Sequence, residues 1–285
     1  MNKSITQDTQ NDNHISTTIR RFFTRFHLSS ALKAANAYKK KGTLASEIFQ
    51  YLFLLIFSNR SMYMDLLTGR NTPDFAKDTV YRFMKMLQIN WIRFTTVFSG
   101  RIIKEAILPL DSENRANVLI IDDSMFERSR SKKVELLAKV YDHAKHAYKF
   151  GFRMLTLGWS DGSTFLPVNS ILLSTDNKKN RVNEAAAVDK RTVGYKRRKL
   201  AQEKGTLSML ELKQAKYEGI PAKYVLFDSW FSSPSALHAV KKLDMMSLAW
   251  LRKPLTRINR KSLFIFSPFY VTLKKKGDFY HVTHR

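Results

Sequence analysis

The apolar positions of this chain change their period near residue 117. Up to about Ile107 they recur at helical spacing: Ile19, Phe22, Phe23 and Phe26, then the stretch Ala31 to Lys40, then Leu44 to Ser58. Gly42-Thr43 marks a stop and a restart, and Ser58-Asn59-Arg60-Ser61 marks a turn. Trp91 to Ile107 reads as another helix, and the Pro-containing segment Leu108 to Asn114 reads as a domain boundary. Beyond it, Val118-Leu119-Ile120-Ile121 runs straight into Asp122-Asp123-Ser124-Met125. A short run rich in β-branched residues predicts a buried strand. Asp is a poor strand former, so the strand is expected to end at Asp122 or Asp123.

The pattern continues as a mixed one. Glu127 to Lys133 reads as a charged loop, Phe152 to Trp159 and Thr164 to Leu173 as a hairpin turning at Asp161-Gly162. Asn177 to Lys204 is expected to be polar and helical, and Leu207 to Glu218 helical. Tyr224 to Phe227 is a second apolar run ending on an Asp, Asp228, followed by Ser229. Pro234 starts a helix to about Leu243. Met246 to Leu251, Leu263 to Phe266, Tyr270 to Leu273 and Phe279 to Val282 are strand-like, with Lys274 to Asp278 as a turn. The order predicts an α/β fold with a mixed sheet, preceded by an all-α region. Three parts are expected: a flexible arm over 1–15, a helical DNA-binding region over 16–112, and an α/β domain over 113–285.

Charge sharpens this picture. The 285 residues hold 49 Lys and Arg against 24 Asp and Glu, a formal net charge of +25. Such a field attracts polyanions, and neutralising phosphates with Lys and Arg is the main source of non-specific nucleic-acid affinity. Apolar content of 44% is ample for a core. The absence of Cys excludes disulfides and thiolate zinc sites, and fits a reducing cytoplasm. No signal peptide is visible, and the apolar run Ile48 to Phe57 is too short to cross a bilayer.

Two features carry candidate chemistry. Strand-end carboxylates within a basic protein suggest divalent-metal phosphoryl transfer; magnesium prefers a few carboxylates plus water and phosphate oxygens. Two such ions about 4 Å apart activate a hydroxyl and stabilise the leaving oxygen. The basic segment 177–204 contains ten Lys or Arg against three acids. Lys190, Arg191, Lys196, Arg197, Arg198 and Lys199 are its candidates for contact with the DNA backbone, which positions DNA without reading sequence. Lys77, Thr79 and Arg82 fit a helix that reads a DNA groove; the same segment also fits a plain capped helix with Val80, Phe83, Met84 and Leu87 inward. Trp230 fits either a base-stacking side chain or a core aromatic.

Ile120-Ile121-Asp122-Asp123-Ser124, the hairpin Leu155 to Gly162 and Tyr224 to Phe231 together resemble the DDE transposases of bacterial insertion sequences, in particular the insertion-sequence-4 family. The resemblance covers about Asn117 to Leu243. It implies an RNase H-like catalytic domain that cleaves and joins DNA at the inverted terminal repeats of a mobile element. It implies two metal ions, Mg2+ or Mn2+, and a homodimer on double-stranded DNA in the bacterial cytoplasm, associated with the nucleoid and not with a membrane. Matched residue by residue, the first acid is Asp123 and the second Asp228, 105 residues later. Asp122 is the weaker match, because the pleat points neighbours to opposite faces. The family's third acid is a Glu on a downstream helix. No Glu follows Asp228, where only Asp244 and Asp278 are acidic. The expectation is therefore a transposase truncated or frame-shifted before its third acid, incomplete at the C-terminus and inactive alone. A non-catalytic DNA-binding remnant is the alternative, and a repair or resolvase-type nuclease of the same fold is a weaker one.

Overall fold

The structure is a computed structural model; it describes residues 2–57, 61–68, 73–112, 115–142, 145–202, 207–227, 231, 233–249, 271–276 and 279–284. Two compact units divide it: Met1–Phe98 with Val188–Lys196, and Ser99–Ala187 with Arg197–Arg285. The boundary expected near Leu108 to Asn114 falls within the second unit.

The first unit is helical: α1 (Asn2–Arg25), α2 (Leu28–Ala34), α3 (Ala45–Phe57), α4 (Met62–Thr68), α5 (Lys77–Met84) and the start of α6 (Trp91–Ile102). Residues 1–15, expected as a flexible arm, lie within α1 from Asn2 onward. No Gly or Pro precedes Gly42, so nothing in the chain interrupts the helix that Ile15, Ile19 and Phe23 anchor. The helix expected over Ala31 to Lys40 stops at Ala34. Asn36 takes the left-handed conformation (φ 61°) and the Ala37 N–H donates back to the Leu32 carbonyl at 2.8 Å. The core is aromatic. Phe23 meets Phe53 at 5.0 Å between ring centres, and Phe49 meets Phe94 edge-on at 5.0 Å.

The second unit is built on a six-stranded mixed sheet of β1 (Val118–Glu127), β2 (Ala138–Asp142), β3 (Ala147–Ser160), β4 (Phe165–Leu173), β5 (Tyr224–Phe227) and β6 (Met246–Ala249). β1 is central. It pairs antiparallel with β3 on one side and parallel with β5 on the other, and β6 extends the parallel side. β4 and β2 share the far edge of β3, along its second and first halves. This is the strand order and sense of an RNase H-like sheet, as expected from sequence. Helix α8 (Leu207–Tyr217) packs against β3 and α9 (Pro234–Lys242), and α9 against β6. Two further strands, β7 (Val271–Lys276) and β8 (Phe279–His284), form a separate antiparallel pair. β7 runs through Lys274 to Lys276, where a turn was expected; the strand expected at Leu263 to Phe266 lies outside the described residues.

The sheet core is closely filled. Leu119, Leu157 and Trp159 are fully buried, and Trp159 Nε1 donates to the Pro221 carbonyl at 2.8 Å. At Gly158 the β3–β4 register shifts, and a Cβ there would collide with the Phe165 ring. Among the described residues of the segment Asn177 to Lys204, only Val193–Leu200 (α7) is α-helical. Short polar side chains hold the rest in other conformations: Asn177 accepts from Lys179 N–H, Asp189 from Arg191 N–H, and Asn183 donates to the Lys132 and Val134 carbonyls. Among the described residues no helix is long and apolar enough to cross a membrane.

Candidate active site

The candidate site begins where β1 loses a neighbour. The parallel ladder with β5 ends at Ile121 opposite Phe227, but β1 does not stop at Asp122 or Asp123 as expected. It continues to Glu127, held by β3 alone, with Asp122 opposite Thr156 and Asp123 opposite Leu155. An antiparallel partner supplies the hydrogen bonds that outweigh the weak strand preference of Asp. The acids therefore sit on a rigid strand beside the open end of the parallel ladder.

Alternation puts the two acids on opposite faces. Asp123 follows Leu119 and Ile121, which are buried, and is itself half-buried; Asp122 is exposed. Asp123 receives an ion pair from Arg153, through both Nε and a terminal nitrogen of the guanidinium. Sequence reasoning did not single out Arg153. It lies on β3 two residues from Leu155, and only the register brings it diagonally to Asp123. Further along the same face Lys149 Nζ donates to Glu127 at 2.8 Å and approaches Asp142 at 3.9 Å. The Lys149 and Ser129 hydrogen bonds hold the Glu127 carboxyl below its ordinary range, and the Glu127 bond raises the Lys149 ammonium.

Asp228 and Trp230 lie outside the described residues; β5 ends one residue before Asp228. Among the described residues no three His, Asp or Glu side chains gather as a metal site. What they offer a hard divalent cation is one rim carboxylate of fitting chemistry, Asp123, with Arg153 as its present counter-charge.

The basic candidates separate by environment. Lys77, Arg82, Lys190, Arg191, Lys196 and Lys199 are exposed. Arg82 Nε donates to the Asp78 carbonyl at 3.2 Å; α5 forms with Val80 and Phe83 buried in its unit, but Met84 is exposed and no side chain caps the helix start at Ala76. Arg191 folds onto Asp189 at 2.8 Å. Arg197 and Arg198 are half-buried. Arg198 is tied to Glu135, whose carboxyl burial pushes up but whose bonds from Arg198 and the Ala186 N–H hold below the usual range. Burial also lowers the Arg197 guanidinium. A separate acid, Glu211 on α8, lies in the interior; it is fully buried, neither oxygen has a hydrogen-bond partner among the described residues, and burial pushes its carboxyl up to about 9.

No curated protein matches the chain. Among solved structures, the piggyBac transposase synaptic complex with hairpin DNA is similar, at 14% identity and a TM-score of 0.39 over 92% of this chain. The chain spans 59% of the length of that one. Residues 50–253, more than half of the sequence and including both β1 and β5, match the profile of the DDE superfamily endonucleases. The chain belongs to the DDE superfamily endonuclease family.

Proposed function

We propose that the protein acts on double-stranded DNA at the inverted terminal repeats of a mobile element. On this reading it cleaves and joins strands at a site made by Asp123 and Asp228. The observation that supports it most is the placement of Asp123. A half-buried carboxylate stands on the central strand of an RNase H-like sheet, just past the last parallel pair with β5. A bound Mg2+ or Mn2+ would supply charge neutralisation and hydroxyl activation there. The chain's own part is to hold the carboxylates rigidly and to bring phosphates near. Lys77, Arg82, Lys190, Lys196 and Lys199 are exposed for backbone contact, while Arg197 and Arg198 are half-buried and Arg198 is paired with Glu135. Pairing of two element ends by a homodimer belongs to the same reading, as does membership of the insertion-sequence-4 group.

The test is a strand-nicking assay on end-containing duplexes with Mg2+ or Mn2+. Asp123→Asn and Asp228→Asn should each abolish nicking and change duplex affinity by no more than about twofold, because neutralising one carboxylate adds no phosphate contact. Nicking that survives either change removes that residue from the site. A second reading has its own support: no Glu follows Asp228 in the sequence. If the site needs that third acid, these residues bind ends without cutting, and the same assay then shows metal-independent binding and no nicks.

A further inference from the structure

The β2–β3 ribbon carries a surface that the candidate active site does not use. A one-sided antiparallel ribbon ordinarily buries its apolar side chains and shows polar ones to water. Here the buried side holds Ala138 and Val140, while the outer side shows Lys139, Tyr141, Tyr148 and Phe150. Lys139 is paired with Phe150 and Tyr141 with Tyr148, so the four form one contiguous patch. The tyrosine rings meet edge-on at 5.1 Å, and Lys139 Nζ lies 5.3 Å from the centre of the Tyr148 ring. The same face is covered further along β3, where Phe152 sits under Leu136, Leu137 and Ala201; from Phe150 outward it is open, with Tyr148 59% exposed.

Charge identifies the occupant. The nearby acids Glu127, Glu135 and Asp142 are each engaged by Lys149 or Arg198. Two exposed cations border the patch: Lys139, beside the Tyr148 ring, and Arg128, whose backbone N–H donates to the Phe150 carbonyl at 2.7 Å and whose guanidinium lies 4.6 Å from the Phe126 ring. Cross-strand pairing accounts for the Tyr141–Tyr148 contact. It does not account for leaving Phe150 uncovered beside a lysine. Rings on an open face within a cationic field are what unpaired bases on a phosphate chain fit: the rings take base faces, and the cations take phosphates.

We propose that the outer face of the β2–β3 ribbon is a stacking platform for single-stranded nucleic acid, centred on Tyr148 and Phe150. The proposal deepens the DNA-cleavage reading by assigning a place to an unpaired strand, but it stands on its own assay. The full chain is titrated onto a labelled oligothymidylate and onto a blunt duplex of equal length. Tyr148→Ala and Phe150→Ala should each weaken single-strand binding about tenfold and duplex binding by less than about twofold. Tyr148→Phe should keep single-strand affinity, whereas Tyr148→Leu, which preserves apolar area but not the ring, should lose it. That pair decides the matter even if the alanine variants fold poorly. Lys139→Gln should lower the salt dependence of binding by about one unit of slope. Unchanged single-strand affinity in the Leu and Ala variants overturns the proposal. So does loss of self-association in sedimentation without loss of single-strand binding, which would assign the face to a second copy of the chain. Asp123→Asn leaves this binding in place, so a failed cleavage reading and a failed platform appear in different measurements.

Discussion

The rim of the sheet and the space beneath α8 each hold a carboxyl, and the two are governed by opposite physics. Asp123 stands half-exposed on β1 with Arg153 as its partner. Glu211 stands fully buried with neither oxygen hydrogen-bonded among the described residues, and burial drives its carboxyl up to about 9. At neutral pH Glu211 is held as a neutral acid by its burial, whereas Asp123 is engaged by a guanidinium at the rim. A cation therefore has a reason to visit the rim and none to enter the interior. A perturbed acid is often a sign of a working site; here the acid pushed up by burial, Glu211, is packed inside.

Three experiments press on this contrast. The largest effect belongs to the interior: Trp159→Ala should cost about 3–5 kcal/mol, because it opens a cavity in a fully buried layer and leaves the Pro221 carbonyl without its donor. Chemical denaturation measures it, and a cost under about 1 kcal/mol would mean that the sheet interior is looser than its burial indicates.

Next is Glu211, whose folded-state pKa lies above its ordinary 4.5. The unfolded chain then releases this proton first as pH rises. Stability from this group is full below about pH 4.5, falls between there and about 9, and is flat above. At pH 7 the loss is on the order of 3 kcal/mol. Glu211→Gln should remove that slope and raise the melting temperature at pH 8 relative to the wild type. Equal slopes in both proteins would put the Glu211 carboxyl in contact with water.

The smallest effect on stability belongs to the rim. Arg153→Gln breaks an ion pair whose arginine is 45% exposed, and should cost less than about 1 kcal/mol. It should nevertheless strengthen Mn2+ binding, read by electron paramagnetic resonance of free Mn2+, because the cation no longer competes with a guanidinium for Asp123. Unchanged Mn2+ affinity would separate Asp123 from any metal.

Much of this was readable in the chain. The apolar run Tyr224 to Phe227 is β5, and Pro234 with its Ser233 cap starts α9 where expected. The β3–β4 hairpin turns at Asp161-Gly162, with Asp161 accepting the Ser163 and Thr164 N–H groups. What escaped was set by partners. β2 is only five residues long after a charged loop, and its pairing with β3 makes it a strand. Glu211 sits beside Leu212 on a helix whose sequence gives no sign of which side is covered. Arg153 carried no signal in the sequence and Arg198 read as a candidate DNA-backbone contact; β3 register and the position of Glu135 make both of them ion-pair partners.

The sequence alone determined the change from helical to mixed architecture, the cationic field and the two apolar runs that end on Asp. Those follow from periodicity, composition and local propensity, which act over a few residues. Tertiary structure decided how far β1 continues past its acids, which acid meets Arg153, which arginines turn inward and which aromatic rings stay uncovered. Each of these depends on a neighbour distant in sequence, and a strand's faces, ion pairs and burial do not exist until that neighbour is in place.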